Sequence, residues 1–177
     1  MSRLTKQLPL ALHLMSAAAI AAPAAAFAQD QAQTVALAIG PTFARSPLAD
    51  TVGSGRHAVA GIGFNFGERM AVRMDGMYQQ LESLAANARD HQMVGFMGSI
   101  EIAFLPASSP YLLGGYGFYQ TLKSGNVAAS AWEGGYNFGA GYRFRFSHLA
   151  VFGEVRVHRV RGEGRPAMVP LSFGLRI

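Results

Sequence analysis

The chain has no cysteine among its 177 residues. Disulfide stapling and thiolate-ligated metal centres are therefore excluded. Lysine is almost absent as well: beyond residue 28 only Lys123 occurs, and arginine carries the basic excess. These arginines stand singly along the chain rather than in a patch, so the electrostatic footprint of a nucleic-acid binder is missing. After residue 28 no apolar run reaches the ~20 residues that a membrane helix needs. No segment has a convincing 3.6-residue period either, although 81–89 has the composition for a helical turn or two within a loop. His57, His91 and His148 stand alone in loops or at strand ends. A metal site needs ligands that converge, so these three are expected to be solvent-exposed, and no metal or cofactor is expected.

What is present begins with a leader. Arg3 and Lys6 precede a mostly apolar stretch over 8–26, and Ala26-Phe27-Ala28 forms a small-x-small site before Gln29-Asp30. These are the three parts of a secretory signal peptide. Pro9 and Pro23 interrupt the run and speak against a membrane anchor. Residues 1–28 are expected to be the leader and 29–177 one domain. The basic residues of 29–177 then number 15 − 2 = 13 against 10 acidic.

The stretch 132–146 shows how the rest is organised. Every second residue gives Trp132, Gly134, Tyr136, Phe138, Ala140, Tyr142, Phe144 and Phe146; the alternate set is Glu133, Gly135, Asn137, Gly139, Gly141, Arg143 and Arg145. One face is a wall of rings and the other is polar or bare, which is the signature of a strand. At ~3.3 Å per residue the strand is about 50 Å long, and tilted by ~45° it stands roughly 35 Å tall, enough to cross a bilayer.

The same division recurs, and the pattern predicts strands near 33–43, 56–66, 70–80, 92–104, 111–121, 132–146, 149–160 and 167–177. The strand at 111–121 has aromatics on both sides (Tyr111 and Tyr119 against Tyr116 and Phe118), and its faces cannot be assigned from sequence. Connections at 67–69 and 147–148 are short, and the one at 105–110 is shorter than its neighbours. Those at 44–55, 81–91 and 122–130 are long, and 161–166 is intermediate. Short turns at one end and long loops at the other fit an outer-membrane barrel, with both termini on the short-turn, periplasmic side. In lipid every backbone amide must find a partner, so the sheet can have no edge. Eight tilted strands can close on themselves around an interior that side chains just fill. Most glycines fall on the predicted inward face, as Gly61, Gly63, Gly135, Gly139, Gly141 and Gly174 do, and leave room for long inward side chains. The fold expected is all-β: an eight-stranded antiparallel up-and-down transmembrane β-barrel.

This pattern resembles the small eight-stranded outer-membrane β-barrel family of the OmpA/OmpX type. The residues that carry the resemblance are the leader, the strands over 33–177, the strand start Pro110-Tyr111-Leu112-Leu113-Gly114-Gly115 and the end Val169-Pro170-Leu171-Ser172-Phe173-Gly174-Leu175-Arg176-Ile177. The end is similar to the C-terminal signal through which the barrel-assembly machinery engages such chains, here through strand 167–177. The family usually ends in an aromatic residue, and Ile177 departs from that. The resemblance implies a monomer in a Gram-negative-type outer membrane with outer-membrane lipid around it. It is specific for architecture and uninformative about activity.

The predicted inward face collects Arg73, Asp75, Glu101, Arg143, Arg145, Glu154, Arg156, His158 and Arg176. Several lie at similar distances from short turns and are expected to meet at one level of the periplasmic half. They read either as a salt-bridged plug or as a gate or proton path. The plug is preferred, because a lumen of eight strands is normally filled and an unpaired buried charge is costly. Trp132, Tyr136, Phe138, Tyr142, Phe144, Phe146 and Phe173 are expected to face lipid, and Tyr78 and Tyr111 to join the interfacial girdles. Glu154 and His158 invite a hydrolase reading, but no serine is placed beside His158 and no oxyanion donor is evident, so no catalytic residue is assigned. Gly61-Ile62-Gly63-Phe64-Asn65-Phe66-Gly67 lacks both the spacing of a nucleotide fingerprint and the helix after it.

The reading is a non-enzymatic barrel with a structural or surface-interaction role played through its long loops. The alternatives are a secreted lipocalin-like barrel carrying an apolar ligand and a lipid-modifying enzyme. Polar inward faces favour the first over the carrier.

Overall fold

A computed structural model describes residues 33–45, 48–50, 52–84, 90–106, 108–122, 131–161 and 167–177. The expected leader and residues 85–89, 123–130 and 162–166, which fall in the expected connections, lie outside the described residues. The elements are β1 (Gln33–Arg45), a single 3-10 turn (Leu48–Asp50), β2 (Val52–Phe66), β3 (Met70–Ser83), β4 (His91–Ala103), β5 (Ser109–Leu122), β6 (Glu133–Phe146), β7 (Leu149–Val160) and β8 (Ala167–Arg176). Each strand pairs antiparallel with its neighbours in sequence, and β8 pairs with β1, so the eight strands close into a barrel. The fold is the all-β barrel expected, and closure leaves no edge.

At one end the strands are joined by tight connections. Gly67 adopts φ 71° in the turn after β2, and Ser147 adopts φ 52° in the two-residue turn 147–148. At the other end the strands run further than the side-chain alternation indicates. β2 begins at Val52 rather than near 56, and β3 continues to Ser83, with Val52 still opposite Ser83 across a register irregularity before Gly55. Much of the expected loops 44–55 and 81–91 is therefore strand. Backbone pairing continues through Gly, Ser and Arg because the ladder satisfies N–H and C=O groups whatever the side chains are.

The two faces separate as their chemistry dictates. Outside lie Leu37, Ile39, Met74, Phe96, Ile100, Leu112, Phe138, Phe173 and Leu175, all exposed. Rings crowd toward both ends of this band. Trp132 packs on Phe96 with centroids 5.8 Å apart and Tyr116 on Tyr136 at 5.5 Å, while Tyr142 and Phe144 meet in a tilted pair at 4.5 Å nearer the short turns. Trp132, Tyr136, Phe138, Tyr142, Phe144, Phe146 and Phe173 all point outward. β5 resolves its ambiguity cleanly. Tyr111 and Tyr119 point inward, each 1 % exposed, and Tyr116 and Phe118 point out. Tyr111 is thus a lumen residue and not part of a girdle.

Register sets large side chains against small ones across the lumen wall. Tyr111 stands opposite Gly141, which stands opposite Glu154. A Cβ on Gly141 would collide with the phenol of Tyr111, so only glycine lets that ring lie flat and reach the next strand. The β7–β8 ladder is interrupted at Pro170, which has no N–H to give, where the register passes from Val155↔Leu171 to His158↔Met168. On the other side of β8 the β1–β8 register skips from Ile39↔Phe173 to Thr42↔Pro170, past Pro41 of β1.

Candidate functional site

Inward residues near the short-turn end form one buried ionic network. Arg73 on β3 reaches Glu154 at 2.7 Å, Glu101 at 3.2 Å and Asp75 at 3.3 Å. Arg156 bonds Asp75 at 2.7 Å and makes a short contact with Glu154. Arg176, the last residue of β8, forks both nitrogens onto Glu101 at 2.9 and 2.8 Å, and Arg143 adds a bond to the same carboxylate at 3.2 Å. Tyr111 donates its hydroxyl to Glu154 at 2.8 Å. The ring of Phe152 lies under Arg176 and Arg73, 5.4 and 5.9 Å from the guanidinium carbons.

These side chains come from β3, β4, β5, β6, β7 and β8, and all the charged ones are 4 % exposed or less. At such burial a charge survives only when paired and hydrogen-bonded. The carboxylates meet that demand by sharing: Glu101 accepts from three arginines, and Glu154 accepts from two arginines and a tyrosine.

Of the residues predicted for the lumen, Arg73, Asp75, Glu101, Arg143, Glu154, Arg156 and Arg176 meet here. Two do not. Arg145 is exposed at the mouth and forms no ion pair among the described residues, because the inward face of β6 opens there into the aqueous vestibule. His158 is buried one layer further from the short turns, where Tyr119 lies against it with its hydroxyl 2.9 Å from Nδ1.

The layer around His158 is polar but uncharged. Ser99 donates to Asn137 at 2.8 Å, and His57 sits between Thr42 (2.9 Å) and Ser172 (2.8 Å). His57 corrects an expectation: it is 4 % exposed inside the lumen, not a loop histidine in water. Because β2 continues to Val52, His57 is not at a strand end but on the inward side of a paired ladder. His91 is half-buried, and His148 is exposed. Toward the long loops the lumen is closed by Val52, Met77, Leu81, Met93, Met97, Tyr119, Val160 and Met168.

The pair His57–Ser172 has the spacing of a base and a nucleophile, and sequence spacing could not have found it, since 115 residues separate the two. It has no room for a substrate. The cavity beside Ser172, Phe152 and Glu154 holds about 10 Å³, the space of one water. Thr42, His57 and Ser172 are otherwise packed in the wall, facing away from the lipid side. Among the described residues no three His, Cys, Asp or Glu side chains converge as metal ligands would.

An open vestibule of about 450 Å³ lies below the network at the short-turn end, lined by Glu68, Arg69, Arg143, Arg145, His148 and Arg176 among others.

The sequence profile described as the outer membrane protein beta-barrel domain matches residues 14–176. Among solved structures, Neisserial surface protein A superimposes with a TM-score of 0.66 at 17% identity, over 82% of this chain and 96% of that one. Ail, the attachment invasion locus protein of Yersinia pestis, gives 0.57 at 10% identity, over 82% and 97%. The N-terminal β-barrel domain of Pseudomonas aeruginosa OprF gives 0.56 at 12% identity, over 82% and 98%. At these identities the likeness shows the fold alone. No curated protein matches the chain. An edgeless barrel, apolar outside and charged within, is what lipid selects, and with the profile match spanning almost the whole sequence the chain belongs to the outer membrane protein beta-barrel domain family.

Proposed function

We propose that this outer-membrane barrel is a non-enzymatic, non-conducting scaffold that stands as a monomer in the membrane and presents its long loops to the exterior. The short-turn end, with both chain termini, faces the periplasm, and export uses the leader at 1–28. The observation that carries the reading is the network around Glu101, Glu154 and Asp75, which spans the lumen from six strands with paired guanidinium groups. An ion entering from either end meets this layer or the apolar plug of Leu81, Met93 and Met168 above it.

The same packing weighs against catalysis at His57–Ser172 and against an apolar ligand carried inside. A barrel whose lumen is already filled has its surface left for work, and the loop end is the part that reaches beyond the band of outward apolar residues. Two of the similar folds bear names that speak of surface roles, a Neisserial surface protein and an attachment invasion locus protein. Assembly through the C-terminal strand is part of this reading.

The test is planar-bilayer recording of the purified, refolded protein, alongside an electrophoretic comparison of heated and unheated samples. A heat-dependent shift in migration with no stable unitary currents is the expected result. Large, steady unitary currents would overturn the plug.

A further inference from the structure

The buried network does not balance. Asp75, Glu101 and Glu154 supply three negative charges; Arg73, Arg143, Arg156 and Arg176 supply four positive ones, which leaves 4 − 3 = +1 among residues that are each 4 % exposed or less. The shortfall falls at one end. Asp75 and Glu154 are paired among Arg73 and Arg156, while Glu101 alone serves Arg143 and Arg176 and also receives Arg73. The Nε atoms of Arg143 and Arg176 are buried and have no hydrogen-bond partner among the described residues, and both arginines are only 4 % exposed. A buried guanidinium N–H left unpaired is costly.

Both arginines line the vestibule, and Arg69 and Arg145 line it too. Against these four cations the lining holds Glu68 and the already shared Glu101. The excess is two positive charges on a concave, partly enclosed surface, which concentrates anions. Guanidinium forks match tetrahedral and planar oxyanions. Met70 and Leu149 complete the rim beside the outward rings of Tyr142, Phe144 and Phe146, so the opening lies at the edge of the apolar band, where phosphate head groups of a bilayer sit.

We propose that this periplasmic vestibule is an anion site that takes a phosphate-type oxyanion, with Arg143 and Arg145 as its principal donors and Arg176 supplying further positive charge. The phosphate is a lipid head group or a free phosphate; the recognition chemistry is the same. The proposal goes beyond the scaffold reading and does not depend on the loops or on conductance.

The test is calorimetric titration of the refolded full-length barrel, in a nonionic detergent, with inorganic phosphate. The variants are Arg145→Gln, which touches no ion pair, and Arg143→Gln. Saturable binding that weakens tenfold or more in Arg145→Gln and in Arg143→Gln, with the heat-dependent gel shift retained, is the expected result. Repeating the titration after reconstitution into phosphatidylcholine vesicles, with and without phosphatidylglycerol, separates the sources. Loss of phosphate binding when phosphatidylglycerol is present assigns the site to the head group; unchanged binding assigns it to free phosphate. No saturable heat, equal binding of chloride, or affinity unchanged in both variants would each overturn the site.

Discussion

The two halves of the lumen solve the same problem with opposite chemistry. Near the short turns the space is filled by arginines and carboxylates backed by Tyr111 and Phe152; near the long loops it is filled by Met77, Met93, Met97, Met168, Leu81 and Tyr119. A salt link of this kind is directional and fails when one partner is removed, because the remaining charge has lost both water and its mate. Methionine packing is adaptable, since an unbranched thioether fills irregular gaps and tolerates exchange. The halves meet at Met97, whose sulfur lies 3.5 Å from Arg156 Nη1. One half is specified by individual bonds and the other by volume, so the two respond differently to substitution.

The largest contrast is expected at Glu101. Glu101→Gln removes the charge that three arginines share and raises the imbalance from one to two. It is expected to destabilise the barrel by about 3–5 kcal/mol, read as a lower denaturant midpoint in detergent micelles. Arg143→Gln removes the excess charge instead and is expected to cost well under half as much in the same assay. Equal losses for the two would refute the charge count. In the apolar half, Leu81→Ala leaves a cavity at a fully buried position and is expected to cost about 3 kcal/mol. Ser99→Ala, in the uncharged layer between, strands the Asn137 carbonyl oxygen, and a loss of about 1 kcal/mol is expected from the same unfolding curves. Met93→Leu, a volume-conserving exchange, is expected to cost no more than ~1.5 kcal/mol. If its midpoint falls as far as that of Glu101→Gln, the apolar half is as specific as the ionic one and the contrast disappears.

The salt response sharpens the same comparison. Ion pairs this deeply buried are screened much less than exposed ones, so raising sodium chloride is expected to leave the stability gap between the parent and Glu101→Gln nearly unchanged. Closure of that gap in salt would mean that water reaches the network.

Much of this was readable from the chain alone. Alternation has a period of two, and lipid outside with charge inside makes the two sets chemically unlike, so the inward placement of Arg73, Asp75, Glu101, Glu154 and Arg156 follows from parity once a single face is known. Strand number, turn order and closure follow from the same pattern, because an open sheet edge cannot stand in lipid. Where the two sets are alike, parity is silent. β5 carries rings on both faces, so Tyr111 could be assigned only when Gly141 was seen to make room for it. His57 was not hidden by parity, since it shares the inward side of β2 with Val59, Gly61 and Gly63; its place at the end of the expected strand suggested water, and the continuation of β2 to Val52 puts it deep in the lumen instead.

Which strand faced which way was thus written in the sequence, while the partners were decided by the closed barrel. Register across six strands chose Glu101 as the shared acceptor of Arg73, Arg143 and Arg176, seated Ser172 against His57, and left Arg145 at the open mouth. Those pairings join residues as far apart as 115 positions. A one-strand pattern carries side-chain direction but no height around the barrel; height comes only from hydrogen-bonded register and the closure of β8 on β1.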